Sequence, residues 1–131
     1  MTGECDLSTL LRSIQPELHV PVYVFVTLAD AAALQGLQPI MTFQESEGLT
    51  AIVHQADAGV HGWDGAFPSR MITLNVHSSL DAVGFLAAIT GRLAALGIGV
   101  NPVSAFYHDH LFVPADRTEE ALAALQELAE G

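Results

Sequence analysis

Lysine is absent from this 131-residue chain, and all four of its basic residues are arginines. Fifteen acidic residues outweigh them, so the formal net charge is −11. A chain of this charge repels phosphate backbones and anionic lipid surfaces, which argues against binding to nucleic acid or to a membrane. Any anion that binds must rely on backbone amides or on the four cations, which are Arg12, Arg70, Arg92 and Arg117.

Cysteine and long apolar runs are also scarce. Cys5 is the only cysteine, which excludes an internal disulfide framework. No apolar run approaches the length of a membrane span, and the first residues lack the basic and apolar pattern of a signal peptide. We therefore expect a cytoplasmic location. Half of the residues are apolar and only 15% are charged, which excludes a disordered chain and allows one ordinary domain or two very small ones.

The first half has the patterns of a small mixed α and β unit. Alternating apolar residues predict strands, and Gly, Pro and small polar residues predict the turns between them. The predicted elements are a helix capped by Asp6 that runs through about Ile14, a strand at 21–28, a helical turn within 29–37, a hairpin of 39–46 and 49–55 that turns at Glu47-Gly48, and a short helix or loop at 56–64.

The second half repeats a similar order, with a longer helix. Gly65 and Pro68 predict a loop, after which Ile72, Leu74 and Val76 alternate as one face of a strand. A helix is predicted from Asp81 to Leu96, followed by strands near 98–107 and 109–114. The last helix is predicted to start at Asp116 in a capping box with Glu119. The core positions predicted for the two helices are Val83, Leu86, Ile89, Leu93 and Leu96, then Leu122, Leu125 and Leu128.

This order of elements predicts an α+β fold of two ferredoxin-like βαββαβ units, in the ranges 1–66 and 67–131. Each unit would be an antiparallel sheet with helices on one face. The chain holds too few strands for two separate units, so we expect the units to share or exchange strands. A sheet covered on one face needs a partner for the other, and we therefore expect a homodimer.

The segment DAVGFLAAITGRLAALGIGV, residues 81–100, resembles the first-helix signature of the ACT domain. It has a loop, a Gly in the first turn, an aliphatic helix and a Gly-Ile step into the next strand. The segment TFQESEGLTAIV, residues 42–53, is similar to the first half of small stand-alone tandem ACT proteins. This resemblance implies an ACT-type ferredoxin-like fold, no catalysis, and an amino acid bound at an interface in a regulatory role.

The loop before that helix is the first candidate site. Free N–H groups and the helix dipole at a helix N-terminus favour a carboxylate. The alternative is that Ser79 or Asp81 only caps the helix. With the resemblance to the ACT domain, we interpret the loop as ligand-binding. Its predicted ligand-binding residues are His77, Ser78, Ser79, Leu80, Val83 and Gly84, and by analogy Asn101.

The densest polar cluster is Tyr107-His108-Asp109-His110. A His-X-His pair on a strand can begin a metal site, but the cluster reads as a turn between strands, and two ligands seldom suffice. We therefore predict no metal site and no cofactor. Tyr107, His108 and Asp109 are interpreted as a structural turn or as contributors to the ligand pocket. A metal-sensing module that uses His108 and His110 remains the alternative.

Features of catalysis are not found in the sequence. Ser78 and Ser79 lack a nucleophile elbow, and no phosphate-binding or dinucleotide motif is present. The sequence therefore predicts a non-catalytic regulatory protein. From the resemblance to the ACT domain, we expect this protein to bind a small molecule, namely an amino acid, and to have an enzyme or regulator as a partner. A pure oligomerisation module is the other alternative.

Overall fold

The computed structural model describes residues 6–76 and 82–131, in two compact units. One unit is Pro21–Ser69, and the other combines residues up to Val20 with Arg70–Gly131. The helices and strands of the described residues are α1 (Leu7–Arg12), β1 (Pro16–Leu18), β2 (Tyr23–Leu28), a 3₁₀ turn (Ala31–Leu34), β3 (Met41–Gln44), β4 (Leu49–His54), α2 (Gln55–His61), β5 (Ala66–Leu74), α3 (Phe85–Ala95), β6 (Asn101–Ser104), β7 (Asp109–Pro114) and α4 (Thr118–Glu130).

The unit Pro21–Ser69, called the 21–69 unit below, has the strand order β3-β4-β2-β5. The β2 strand pairs with β4 in antiparallel register from Tyr23 and His54 to Leu28 and Leu49. The predicted hairpin of β3 and β4 is present, with Glu45 N–H donating to Gly48 O at 2.9 Å. One face of the sheet, the 3₁₀ turn and α2 bury a common core of Val24, Val26, Leu28, Leu34, Leu49, Ala51, Val53 and Ala58.

The other unit, called the C-terminal unit below, has the strand order β1-β5-β7-β6. The β1 strand pairs with β5 in antiparallel register from Pro16 and Leu74 to Leu18 and Ile72. Alternation along β5 and β7 directs Ile72, Leu74, Leu111 and Val113 to the helices. The core that they form with α1, α3 and α4 includes Leu10, Phe85, Ile89, Leu93, Ile98, Ala121 and Leu125.

Both units therefore have βαββαβ topology, which confirms the predicted fold class. Seven strands are enough for two four-stranded units because β5 belongs to both. Its first residues pair with β2, where Ser69 lies opposite Tyr23, and its last residues pair with β1. The β1 strand, from the start of the chain, takes the fourth-strand position of the C-terminal unit. The division expected between residues 66 and 67 falls inside the shared strand.

The long helix begins later than predicted in the described residues, and its buried stripe differs. Gly84 is the N-cap, with φ +87°, and α3 starts at Phe85. Phe85 is buried, whereas Val83 is 85% exposed and Leu96 is 38% exposed. The prediction of buried positions was right for Ile89 and Leu93 and wrong for Val83 and Leu96. Val83 is exposed because the left-handed Gly84 places it outside the helix.

The capping box predicted for the last helix is wrong. Arg117 is the N-cap, and no side-chain hydrogen bond caps the helix in the described residues. A turn precedes the helix, and in it Arg117 N–H donates to Pro114 O at 2.9 Å. Because of this turn, the helix begins after Asp116. Ala121 and Leu125 are fully buried with Ala124, while Leu122 and Leu128 are only half-buried.

Strand β5 also starts earlier than predicted, because Pro68 lies within the strand and not in a loop. The pairing of β2 with β5 shifts register between Tyr23 and Phe25, and Phe67 has φ +56°. Proline lacks the N–H that a regular ladder uses, and such irregular pairing is where a strand tolerates it.

Candidate functional site

The N-terminus of α3 is open in the described residues. No described side chain caps it, and Gly84 O accepts the Ala88 N–H at 2.9 Å as the first helical bond. The N–H groups of the first turn have no acceptor within the helix, and the helix dipole adds partial positive charge there. Val83, which is 85% exposed, lies directly before it. This arrangement suits a carboxylate.

Five residues of the predicted loop lie outside the described residues. They are His77, Ser78, Ser79, Leu80 and Asp81. The described ends of the loop are Asn75 and Val76 after β5, and Ala82 to Gly84 before α3. The predicted roles of Ser78, Ser79, His77 and Leu80 therefore stay predictions.

The start of the loop is held by β1. Gln15 O accepts the backbone N–H of Asn75 at 3.2 Å, and Glu17 Oε1 accepts its side-chain Nδ2–H at 3.1 Å. Both bonds lie within the C-terminal unit. The last residues before the loop are thus fixed by a segment about sixty positions earlier in the sequence.

The histidine-rich turn lies at the end of β5 where the loop begins. Ala105 N–H donates to His108 O at 3.0 Å, which closes the predicted turn, and β7 begins at Asp109. Asp109 is 5% exposed, while His108 and His110 are half-buried. Tyr107 is 63% exposed, and its ring lies 4.9 Å from that of Phe106.

His110 belongs to a hydrogen-bonded chain that sequence reasoning missed. Thr73 Oγ1 lies 2.9 Å from His110 Nδ1 and 2.8 Å from His19 Nε2. Burial lowers the pKa of His110, and the neighbouring His108 and His19 lower it further, while Asp109 opposes them. Thr73 lies on the polar side of the predicted alternation, but no sequence signal pairs it with His19.

The structure places Asn101 apart from this cluster. It is the exposed first residue of β6 and lies opposite Phe112, whereas Ser104 at the other end of β6 lies opposite Asp109. Three strand residues span roughly 10 Å, which separates Asn101 from the turn at 105–108.

Three of the four arginines are engaged within the protein. Arg92 pairs with Glu127 at 2.8 Å, and Arg70 Nε donates to His19 O at 2.9 Å. Arg117 binds Glu120 and also donates to the carbonyl oxygens of Leu96 and Gly97, which follow α3. Arg12, in the last turn of α1, is exposed. The described residues therefore leave Arg12 and the first-turn amides of α3 as candidate anion-binding groups.

Within residues 6–76 and 82–131, no three His, Cys, Asp or Glu side chains are arranged to hold a metal ion. No helix in these ranges is long and apolar enough to cross a bilayer.

Matches to known protein families divide the chain into two parts, as the structure does. Two models described as ACT domain match residues 2–70 and 66–127. They overlap in the first residues of β5, the strand that both units share. No curated protein matches the chain significantly.

Solved structures share the fold. A Vibrio cholerae protein of unknown function, described as a possible transport protein, is 42% identical with a TM-score of 0.86, over 94% of this chain and 95% of that one. An Agrobacterium tumefaciens protein is 19% identical with a TM-score of 0.72, over 88% and 89%. The regulatory subunit of aspartate kinase from Thermus thermophilus is 12% identical with a TM-score of 0.68, over 88% and 97%. With an ACT domain model matching more than half of its residues, this chain belongs to the ACT domain family.

Proposed function

We propose that this protein is a non-catalytic regulator that binds a free amino acid through the loop before α3. The observation that carries the proposal is the open N-terminus of α3 behind the left-handed Gly84. The ACT domain is a regulatory ligand-binding module, so a binding role is expected of the family. In the C-terminal unit, the first-turn amides of α3 are the groups that could bind a carboxylate.

The α-carboxylate of the ligand is the group that this helix end recognises. First-turn amides of α3 donate to it, and the partial positive charge of the dipole stabilises it. Gly84 leaves the approach clear because it has no side chain. Ser78 and Ser79, whose hydroxyls are predicted to add donors, and His77 before them in sequence complete the proposed ligand-binding residues of the loop.

We propose an amino acid as the ligand because the structural relatives include regulatory subunits of aspartate kinase. Regulatory subunits of aspartate kinase from two Thermus species share the fold. A Clostridium acetobutylicum aspartate kinase described as an allosteric enzyme for amino acid production also contains it. Identities of 9–12% to these proteins support the fold only, so the amino-acid ligand is our proposal.

Regulation requires that the ligand bind two states differently. We propose that the protein is a cytoplasmic homodimer and that ligand binding orders the loop and shifts its association with itself or with an enzyme or regulator. Sedimentation velocity with and without the amino acid panel tests the association. A monomer under both conditions contradicts the homodimer.

A thermal-shift screen of the twenty amino acids tests the ligand. At a hundred times its dissociation constant, a ligand that binds only the native state adds about 2.7 kcal/mol, which is several degrees for a domain of this size. We expect one or a few amino acids to raise the melting temperature, and Gly84→Leu to remove that rise. An added Cβ at Gly84 lies 3.6 Å from Leu7 Cδ2, an ordinary contact, so the fold survives although the backbone is strained.

Gly91→Leu is the matched control, since it makes the same substitution on the same helix. A Cβ at Gly91 contacts nothing within 4 Å in the described residues. Equal loss of binding in both variants contradicts the proposed site, and a response to none of the twenty amino acids contradicts the proposed ligand.

A further inference from the structure

A single hydroxyl joins two histidines in the C-terminal unit. His19 Nε2 and His110 Nδ1 lie 2.8 and 2.9 Å from Thr73 Oγ1, and Thr73 is only 6% exposed. We call this chain of three side chains the histidine link. A hydroxyl donates one hydrogen and accepts through two lone pairs, so it donates to at most one ring. The tautomer of each neutral ring sets the direction of its bond to Thr73, and at most one ring accepts from the hydroxyl.

The histidine link attaches the end of a very short strand. The β1 strand has only three residues, each paired with a residue of β5. Just after it, His19 N–H donates to Met71 O at 2.9 Å and His19 O accepts from Arg70 Nε at 2.9 Å. Segments with few contacts open locally at small free-energy cost, so each side-chain bond matters to the position of β1.

The β1 strand in turn holds the start of the proposed ligand loop. Gln15 and Glu17 supply the two acceptors for Asn75, which is two residues before His77. Displacement of β1 removes both bonds. A change in the position of β1 therefore changes the hydrogen bonds that hold Asn75, where the loop begins.

Charged and titratable groups surround the histidine link from each neighbouring strand. On the β7 side, the His108 ring lies 6.3 Å from that of His110, and the buried Asp109 precedes His110. On the β5 side, Arg70 is bound to the backbone of His19. On the β1 side, Glu17 is bound to Asn75. Three imidazoles thus lie close together, with Asp109 as the nearby carboxylate.

The lowered pKa of His110 has a definite sign for stability. Burial is its main cause, followed by His108 and His19. The folded state favours the neutral ring more than the unfolded state does, so the stabilisation is complete above a pH of about 6.5. It is lost as the pH falls from there through the lowered pKa.

We propose that the histidine link is a proton-controlled attachment of β1, and that its release at acidic pH weakens ligand binding at the loop. Protonation places a positive charge on the half-buried His110 ring, beside His108 and His19, so the folded arrangement of the histidine link loses stability. The β1 strand then separates from β5, and Asn75 loses its partners. The effect on the ligand rests on the proposed function, whereas the release of β1 does not.

Hydrogen exchange of the full-length protein without ligand tests the release. Peptides that cover 15–20 and 71–76 are compared at pH 7.5 and pH 5.5, after correction for intrinsic exchange rates. We expect both to exchange about tenfold faster at pH 5.5, while a peptide covering β4 does not change. Equal corrected rates at the two pH values overturn the proposal.

Two variants separate a proton-controlled attachment from a merely structural one. His19→Gln keeps an amide that can bond to Thr73 but does not titrate, so we expect residues 15–20 to stay protected at both pH values. Thr73→Val removes the hydroxyl and should expose this segment at pH 7.5 already, while Thr73→Ser should restore the wild-type behaviour. His61→Gln, in the 21–69 unit, is the control and should retain the pH response. A wild-type pH response in His19→Gln and Thr73→Val overturns the proposal.

The connection to the ligand has its own readout. The thermal shift caused by an equimolar mixture of the twenty amino acids should be smaller at pH 5.5 than at pH 7.5 in the wild type. It should be similar at both values in His19→Gln. Equal wild-type shifts despite faster exchange of β1 overturn the connection to the loop. Absence of any shift rejects the proposed ligand, while the exchange experiment still decides the release of β1.

Discussion

The two units have the same topology but differ at the first strand-to-helix connection. In the 21–69 unit, Asp30 Oδ1 accepts the Ala32 N–H at 2.9 Å, and only a four-residue 3₁₀ turn follows. In the C-terminal unit, Gly84 precedes the eleven-residue α3, and no described side chain caps it. The first unit thus satisfies its helix end with its own carboxylate. In the second, none of the described residues caps the same position, which on our proposal receives a carboxylate from the ligand.

This difference shows that topology alone does not make a binding site. A short 3₁₀ turn carries a small dipole, and an internal cap occupies its amides. The longer α3 has a larger dipole, and no described side chain competes for its first-turn amides. We therefore propose that only the C-terminal unit binds the ligand, although ACT domain models match both halves of the chain.

Gly84→Asp gives the C-terminal unit the internal cap of the 21–69 unit and should have the largest effect. The new carboxylate occupies the first-turn amides and repels the ligand carboxylate, so affinity for the responding amino acid should fall about a hundredfold, or about 2.7 kcal/mol. Asp tolerates the left-handed backbone better than most residues. Isothermal titration calorimetry measures the loss, and Gly91→Asp controls for the added charge. Comparable losses in both variants contradict a specific role for Gly84.

Asp30→Ala removes the cap of the 3₁₀ turn. The loss of this hydrogen bond should lower the free energy of unfolding by about 1 kcal/mol. Urea denaturation measures this change, and ligand affinity should stay as in the wild type. A large loss of affinity in Asp30→Ala would place the ligand in the 21–69 unit instead.

Gly91→Ala should produce the smallest change, and in the opposite direction. Gly91 lies in the helix interior with open space around it, so alanine should stabilise the protein by about 0.5–1 kcal/mol. Urea denaturation again measures it, with Gly84→Ala as the contrasting variant that should destabilise. Destabilisation by Gly91→Ala, together with a change in sedimentation, would mean that a partner packs closely on α3.

Local patterns were sufficient to predict much of the fold. Alternation at 21–28 and the Glu47-Gly48 turn predicted β2 and the β3–β4 hairpin, and Asp6 caps α1 as expected, with its carboxylate accepting the Thr9 N–H. A shortage of strands predicted that units share them, which β5 does. Each of these inferences uses neighbours in sequence or a count of elements.

Other failures came from contacts between distant residues. The β1 strand has only three residues, beginning at Pro16, too few for an alternation to be visible, and its identity depends on pairing with β5. Pro68 signals a loop in sequence but lies in an irregular part of β5. The histidine link could not be predicted because 54 positions separate His19 from Thr73.

The most direct test follows the backbone amide signals of uniformly ¹⁵N-labelled protein while each of the twenty amino acids is added. We expect one or a few of them to shift the signals of Phe85, Leu86 and Ala87 at the start of α3 and to leave Ala32 in the 3₁₀ turn unchanged. Shifts centred on residues 31–34, or binding that leaves 85–87 unmoved, would contradict this expectation.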